Sequence, residues 1–224
     1  MSRADEIAAR LADVRRRISD AERKAGRAGG SVTLVAVGKT YPIEDLLAAH
    51  AAGARAFGEN RVQEAEAKFP LLPSGCARHL IGPIQSNKAN RAAKLADVVE
   101  TLDSEDLAKR LDRAAAAEGR TLEVFVQVRL GGEATKSGVD PKDAPALVEA
   151  VKALAGLHLK GLMTIPPPGE GRRYFSELRE LAARVAVSGL SMGMSDDFED
   201  AIAEGATHVR VGSAIFGERR REFP

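Results

Sequence analysis

The sequence predicts an α/β protein built as a single (β/α)8 TIM barrel with an extra N-terminal helix. Three observations lead there. Short apolar runs alternate with amphipathic stretches along almost the whole chain. Glycine or proline punctuates the junctions, at Pro42, Gly53, Gly82, Gly119, Gly156, Gly189 and Gly205. The chain has 224 residues, 44% of them hydrophobic, which suits one large domain with a substantial core. Alternation of strand and helix implies a parallel sheet with helical crossovers. Eight repeats in about 190 residues favour closure into a barrel, at the small end for that fold. A doubly wound open sheet is the runner-up. There is no obvious internal repeat or linker, so residues 1–224 are expected to form one domain, with the barrel over 32–217.

In chain order, residues 1–25 carry Ile7, Leu11, Val14, Ile18 and Ala21 at helical spacing, and the stretch from Gly26 to Gly30 stops the helix. A helix packed on the main domain is the simpler reading. A dimer seam is the alternative, so monomer and weak homodimer both stay open. Strands are expected at 32–38, 55–58, 78–82, 97–101, 122–130, 158–164, 189–193 and 207–212. Helices are expected between them at 43–52, 60–68, 87–94, 104–117, 142–154, 172–186 and 196–204. Asp103-Ser104 and Ser195-Asp196 have the chemistry of N-caps.

Composition narrows the function classes. The formal net charge is +1, so no general pull toward nucleic acid is expected. There is no tryptophan and few aromatics, which argues against base-stacking platforms. Arg219, Arg220 and Arg221 are flanked by Glu218 and Glu222 and suit a solvated chain end. No segment approaches the ~18 continuous apolar residues of a membrane span. Charged residues by position 5 argue against a secretory signal. A single cysteine, Cys76, rules out a disulfide within the chain and fits a reducing cytoplasm. Cys76 has no evident activating partner, and no Cys/His/acid cluster shows metal-ligand spacing.

In a barrel, functional residues gather at the C-terminal ends of the strands. Lys39 ends the first apolar run, Val32 to Gly38. A lysine where a buried strand meets a loop is poorly solvated, its ammonium form is disfavoured, and its pKa should fall. Such an amine can attack a carbonyl and form a Schiff base. A salt-bridged strand-end lysine is the plainer reading of Lys39 taken alone. Phosphate is often bound by the loops after strands 7 and 8. There, Ser195 at a helix start and Gly212-Ser213 offer hydroxyls and close backbone approach, although each also reads as a simple cap or turn. Strand alternation puts Arg210 opposite Val209 and Val211, so Arg210 should point into the barrel. A buried guanidinium needs a partner. A carboxylate or the ring nitrogen of a bound cofactor would serve. His79 reads as a hydrogen-bonded core histidine.

Seven segments together resemble the pyridoxal phosphate homeostasis protein family. They are Leu34-Val-Ala-Val-Gly-Lys-Thr40, Phe57-Gly-Glu-Asn-Arg-Val-Gln-Glu64, His79-Leu-Ile-Gly-Pro-Ile-Gln-Ser-Asn-Lys88, Thr135-Lys-Ser-Gly138, Gly161-Leu-Met-Thr-Ile-Pro166, Leu190-Ser-Met-Gly-Met-Ser-Asp-Asp197 and Val209-Arg-Val-Gly-Ser-Ala-Ile-Phe-Gly217. The resemblance implies a barrel similar to the N-terminal domain of alanine racemase, with pyridoxal 5′-phosphate (PLP) as cofactor. It implies that Lys39 carries the Schiff base and that Asn60 lies beside the cofactor. It also implies that Ser195, Gly212 and Ser213 hold the phosphate, with Met194 next to them, and that Arg210 faces the pyridine nitrogen. Gly38 stands where serine is usual in the family, Tyr41 where lysine is common, and Arg129 where asparagine is frequent.

Carrier and enzyme can also be weighed chemically. PLP stabilises carbanions best with a protonated ring nitrogen, and an arginine there opposes that protonation. Only seven residues follow Gly217 in the sequence, leaving no room for the C-terminal β-domain that closes the racemase site. The expectation is therefore a protein that holds PLP for buffering or delivery, with apo PLP-dependent enzymes as candidate recipients, and without strong turnover. The rivals are a PLP-dependent racemase or decarboxylase of small amino acids and a class I aldolase that uses a lysine without PLP. Lys136, in the loop after strand 5, suits a solvated position or a second anion contact.

Overall fold

The computed structural model describes residues 1–131, 137–167 and 169–218. Its eight strands are β1 (Thr33–Val37), β2 (Ala56–Glu59), β3 (Ala77–Leu80), β4 (Val98–Leu102), β5 (Leu122–Gln127), β6 (Leu157–Met163), β7 (Gly189–Ser191) and β8 (His208–Val211). They pair in parallel, in sequence order, and β8 closes back on β1. The helices are α1 (Arg3–Lys24), α2 (Ile43–Ala51), α3 (Val62–Lys68), α4 (Ala89–Leu95), α5 (Glu105–Ala117), α6 (Ala144–Lys152), α7 (Gly171–Arg184), α8 (Phe198–Ala203) and the single turn α9 (Ser213–Phe216). The closed barrel is the predicted fold, and the open sheet is set aside.

Period-2 alternation sorts the strand residues into two layers. Leu34, Ala36, Phe57, Leu80, Val99, Val124, Leu162, Val209 and Val211 join the main core that packs under the helices. Val98, Phe125 and Met163 form a small separate cluster in the barrel interior. The rest of the interior is unusually polar: His79, Glu100, Gln127, Ser191 and Arg210 are all buried.

Among the described residues the eighth strand is followed by one helical turn, and α1 fills the place beside it in the outer ring. That helix buries Ile7, Leu11, Val14 and Ile18 and packs against α2, α8 and α9. Arg3 ties it in, with Nε 3.1 Å from Asp45 Oδ1 and Nη2 donating to Phe216 O at 2.7 Å. The N-terminal helix thus completes the ring beside β8 and β1.

Several boundaries differ from expectation. Strand 5 stops at Gln127 rather than 130, and strand 7 at Ser191 rather than 193. Gly193, at φ +91, turns the chain away, and a Cβ there would press on Ala201. Ser104 does cap α5, accepting from Leu107 N at 3.4 Å. Ser195 does not cap α8, which begins at Phe198, after Asp197. Gly212 does not end β8 but precedes the unforeseen α9. Lys136, Thr135 and Arg219 to Arg221 lie outside the described residues.

Candidate functional site

Inside the barrel, Glu100 is the hub of a buried polar network. It is fully buried on β4. His79 Nδ1 lies 2.7 Å from its Oε1, and Ser191 Oγ donates to its Oε2 at 2.7 Å. Arg210 Nη1 donates in turn to Ser191 Oγ at 2.5 Å and lies 3.8 Å from Glu100 Oε2. Arg210 Nη2 donates to Thr164 O at 2.8 Å. Arg210 therefore points inward, as alternation requires, and a carboxylate does partner it, largely through the serine. Burial would push the Glu100 carboxyl up, but the hydrogen bond and charge of His79, with Arg210 and Ser191, hold it down at about 2. His208, on β8, is pushed down to about 4, chiefly by burial, against the pull of Glu100. His79 is the hydrogen-bonded core histidine the sequence suggested.

Above this network, at the C-terminal ends of the strands, a cavity of about 320 Å³ opens. All seven sequence-predicted residues line it: Lys39, Asn60, Met194, Ser195, Arg210, Gly212 and Ser213. Lys39 is half-buried, directly after Gly38, which continues the β1 ladder by donating to Gly58 O at 2.9 Å. Asn60 follows β2 and is held by close backbone approach: a Cβ at Gly82 would run into the Asn60 backbone. The β7–α8 loop is shaped by Asp197, whose Oδ1 accepts from Met194 N at 2.7 Å and whose N–H donates to Met194 O at 3.2 Å. That turn presents Ser195, whose Oγ accepts from Ala214 N at 3.3 Å and so joins the two loops. Gly212 lies against β1: a Cβ there would sit 3.3 Å from Val37 O.

Sequence reasoning did not assign site positions to Tyr41, Ile81, Ile165 and Asp196, which line the same cavity. Tyr41 Oη donates to Gly217 O at 2.5 Å and its ring lies 4.9 Å from that of Phe216, tying the loop after β1 to α9. Glu100 was also missed. Its signal is present: a carboxylate at an inward position of a largely apolar strand, matching an inward arginine elsewhere. A second hollow of about 380 Å³ lies near α1, lined in part by Arg15 and Arg55. Both guanidiniums are engaged by backbone carbonyls, those of Ala52 and Gly53 and of His50 and Ala54.

Residues 10–220 match the family described as alanine racemase, N-terminal domain. The pyridoxal phosphate homeostasis protein of Pseudomonas aeruginosa is 47% identical over 222 residues, covering 95% of this chain and 96% of that protein. Its namesake from Escherichia coli is 42% identical over 228 residues, covering 96% and 97%. Among solved structures, PipY of Synechococcus elongatus with PLP bound superposes with a TM-score of 0.83 at 40% identity, covering 94% of this chain and all of that one. With a closed parallel barrel and near full-length identity of this order, the chain belongs to the pyridoxal phosphate homeostasis protein family, within the wider family of alanine racemase N-terminal domains.

Proposed function

We propose that this chain binds PLP in the cavity at the strand ends and takes part in PLP homeostasis, holding the cofactor for buffering or delivery without strong catalytic turnover. The observation that carries this reading is the convergence of an amine, a guanidinium and two hydroxyls on one cavity of about 320 Å³. That volume falls in the ordinary range for small-ligand sites, about 300–1,000 Å³. The donor set fits the cofactor. Ser195, Gly212 and Ser213 offer hydroxyls and close backbone approach to a phosphate. Arg210, aligned by Ser191 and Thr164, would face the ring nitrogen. Asn60 and Met194 flank the space, and Lys39 supplies the amine. When bound, PLP supplies an aldehyde that a lysine amine can hold reversibly as a Schiff base.

Arg210 tempers carbanion chemistry without forbidding it. A permanent positive charge opposes protonation of the ring nitrogen and weakens the electron sink that carbanion chemistry needs. The relatives carry the name of homeostasis proteins rather than of enzymes, which agrees. Apo PLP-dependent enzymes are the proposed recipients. Among the described residues no helix is long and apolar enough to cross a membrane.

The test is to add PLP to the purified protein, record the visible spectrum, reduce with borohydride and map the modified peptide by mass. The expected result is an absorbance band that borohydride bleaches and a single modified residue, Lys39. Modification elsewhere, or no band at saturating PLP, would overturn the reading. Rapid exchange of the α-hydrogen of small amino acids in deuterated water would move the assignment to a racemase-like enzyme.

A further inference from the structure

Lys39 sits in a turn that its own sequence disfavours. Tyr41 N donates to Gly38 O at 3.0 Å, which closes a four-residue turn with Lys39 and Thr40 at its centre. Thr40 has φ +69, whereas Lys39 is not among the positive-φ residues, a pattern of the type II kind. The second central position of such a turn suits glycine, and a β-branched residue there is strained. Strain of this sort persists only where the surroundings enforce it, and it gathers at functional sites.

The enforcing contacts come from behind the turn, on the side away from the cavity. Lys68, at the end of α3, uses its ammonium on three acceptors: Gly38 O at 2.9 Å, Glu59 Oε1 at 2.9 Å and Glu64 Oε2 at 3.2 Å. An ammonium has three donors, so this set is complete. Glu64 Oε2 also accepts the N–H of Thr40 at 2.9 Å. The turn is thus gripped at both its strained residue and its first carbonyl. The cluster is deep: the Glu59 side chain is fully buried and that of Lys68 is 12% exposed. Burying two carboxylates around one ammonium opposes stability, so a positional role accounts for it better than a stabilising one. Burial pushes the Glu59 carboxyl up to about 7 against the pull of Lys68.

We propose that Lys68, completed by Glu59 and Glu64, is a positioning residue for Lys39: the three side chains hold the Gly38–Tyr41 turn in the strained form that delivers the Lys39 amine to the cavity. The inference rests on the reading of Lys39 as the cofactor-bearing lysine. It adds a cause for where that amine stands, in residues that do not line the cavity and that lie on α3 and at the end of β2.

The experiment compares wild type with Lys68→Met, Glu64→Leu and Glu64→Gln, each with and without Thr40→Gly. Two readouts are taken: the PLP dissociation constant, and the hydrogen-exchange rate of the Tyr41 amide in the protein without PLP. Lys68→Met and Glu64→Leu are expected to weaken PLP at least tenfold and to speed Tyr41 exchange by a similar factor. Glu64→Gln, which keeps an acceptor for Thr40 N–H, is expected to stay within about threefold of wild type, a modest change on the scale of a single hydrogen bond. Glycine at position 40 adopts the turn unaided, so Thr40→Gly should restore most of both losses. Unchanged affinity and exchange in Lys68→Met would overturn the proposal, and so would a loss that Thr40→Gly does not rescue. If Lys68→Met does not fold, the Glu64 pair decides by the same criteria. If wild type itself takes no PLP at Lys39, the functional reading fails, and Tyr41 exchange still decides the positioning.

Discussion

Replacing Glu100 with alanine should lower the stability of the fold by about 3–5 kcal/mol, the range for removing one partner of a buried ion pair. The reason is what stays behind. Arg210 would keep its buried guanidinium with only the weaker pull of Asp197 to offset it, and the Ser191 hydroxyl and the His79 ring would each lose an acceptor. The cavity left in the barrel interior adds to the loss. Glu100→Gln should cost less, because the amide oxygen still accepts from Ser191, but it removes the charge that balances Arg210. Urea unfolding of the two variants beside wild type measures both. A loss under about 1 kcal/mol for Glu100→Ala would mean that water or rearrangement replaces the carboxylate, and that Glu100 is not the hub of the network. The functional consequence follows from the same geometry. Arg210 is aligned through Ser191, so Glu100→Ala should also blur the guanidinium at the cavity floor and weaken PLP binding.

Acid is expected to destabilise the protein well before ordinary carboxylates titrate. His208 has a folded pKa near 4 against an ordinary 6.5, because burial disfavours its charged form. A group whose pKa is depressed on folding contributes stability that is complete above its unfolded value and is lost as pH falls through the folded one. The His208 contribution is therefore present above pH 6.5 and drains away toward pH 4, roughly 2–3 kcal/mol once screening at its partly exposed ring is allowed for. Glu100, held at about 2 against 4.5, loses its contribution in the next window down. Glu59 works in the other direction. Its folded pKa of about 7 lies above the unfolded 4.5, so its contribution is present below 4.5 and lost as pH rises through 7. Thermal unfolding midpoints from pH 4 to 8 should show His208→Gln flattening the acid limb and Glu59→Gln flattening the limb near neutrality. If His208→Gln leaves the slope between pH 6.5 and 4 as it is, the buried neutral histidine is not its source.

Much of this protein is legible from its residues because the governing physics is local or periodic. The strands show as short apolar runs and the helices as amphipathic stretches, so their order and number are fixed by patterns a few residues long. Right-handed crossovers then leave few topologies, and barrel closure puts every strand end on one rim. That is why Lys39, Asn60, Ser195, Arg210 and Ser213, scattered from one end of the chain to the other, could be placed around one cavity. The inward aim of Arg210 follows from the alternation of Val209, Arg210 and Val211 alone.

What tertiary structure decided lies in contacts between residues far apart in sequence, which no local propensity encodes. Glu100 and Arg210 face each other only because β4 and β8 share the inside of a closed sheet, with Ser191 of β7 between them. Ser195 looked like a helix cap because its neighbours have capping chemistry. It instead accepts from Ala214, since Asp197 bends the loop first and α9 comes alongside. The completion of the outer ring by α1 depends on how short α9 turned out to be. Thr40 would be assigned an ordinary conformation from its type. Its left-handed turn exists because Glu64 and Lys68 arrive from α3 to hold it, and the position of the Lys39 amine depends on that grip.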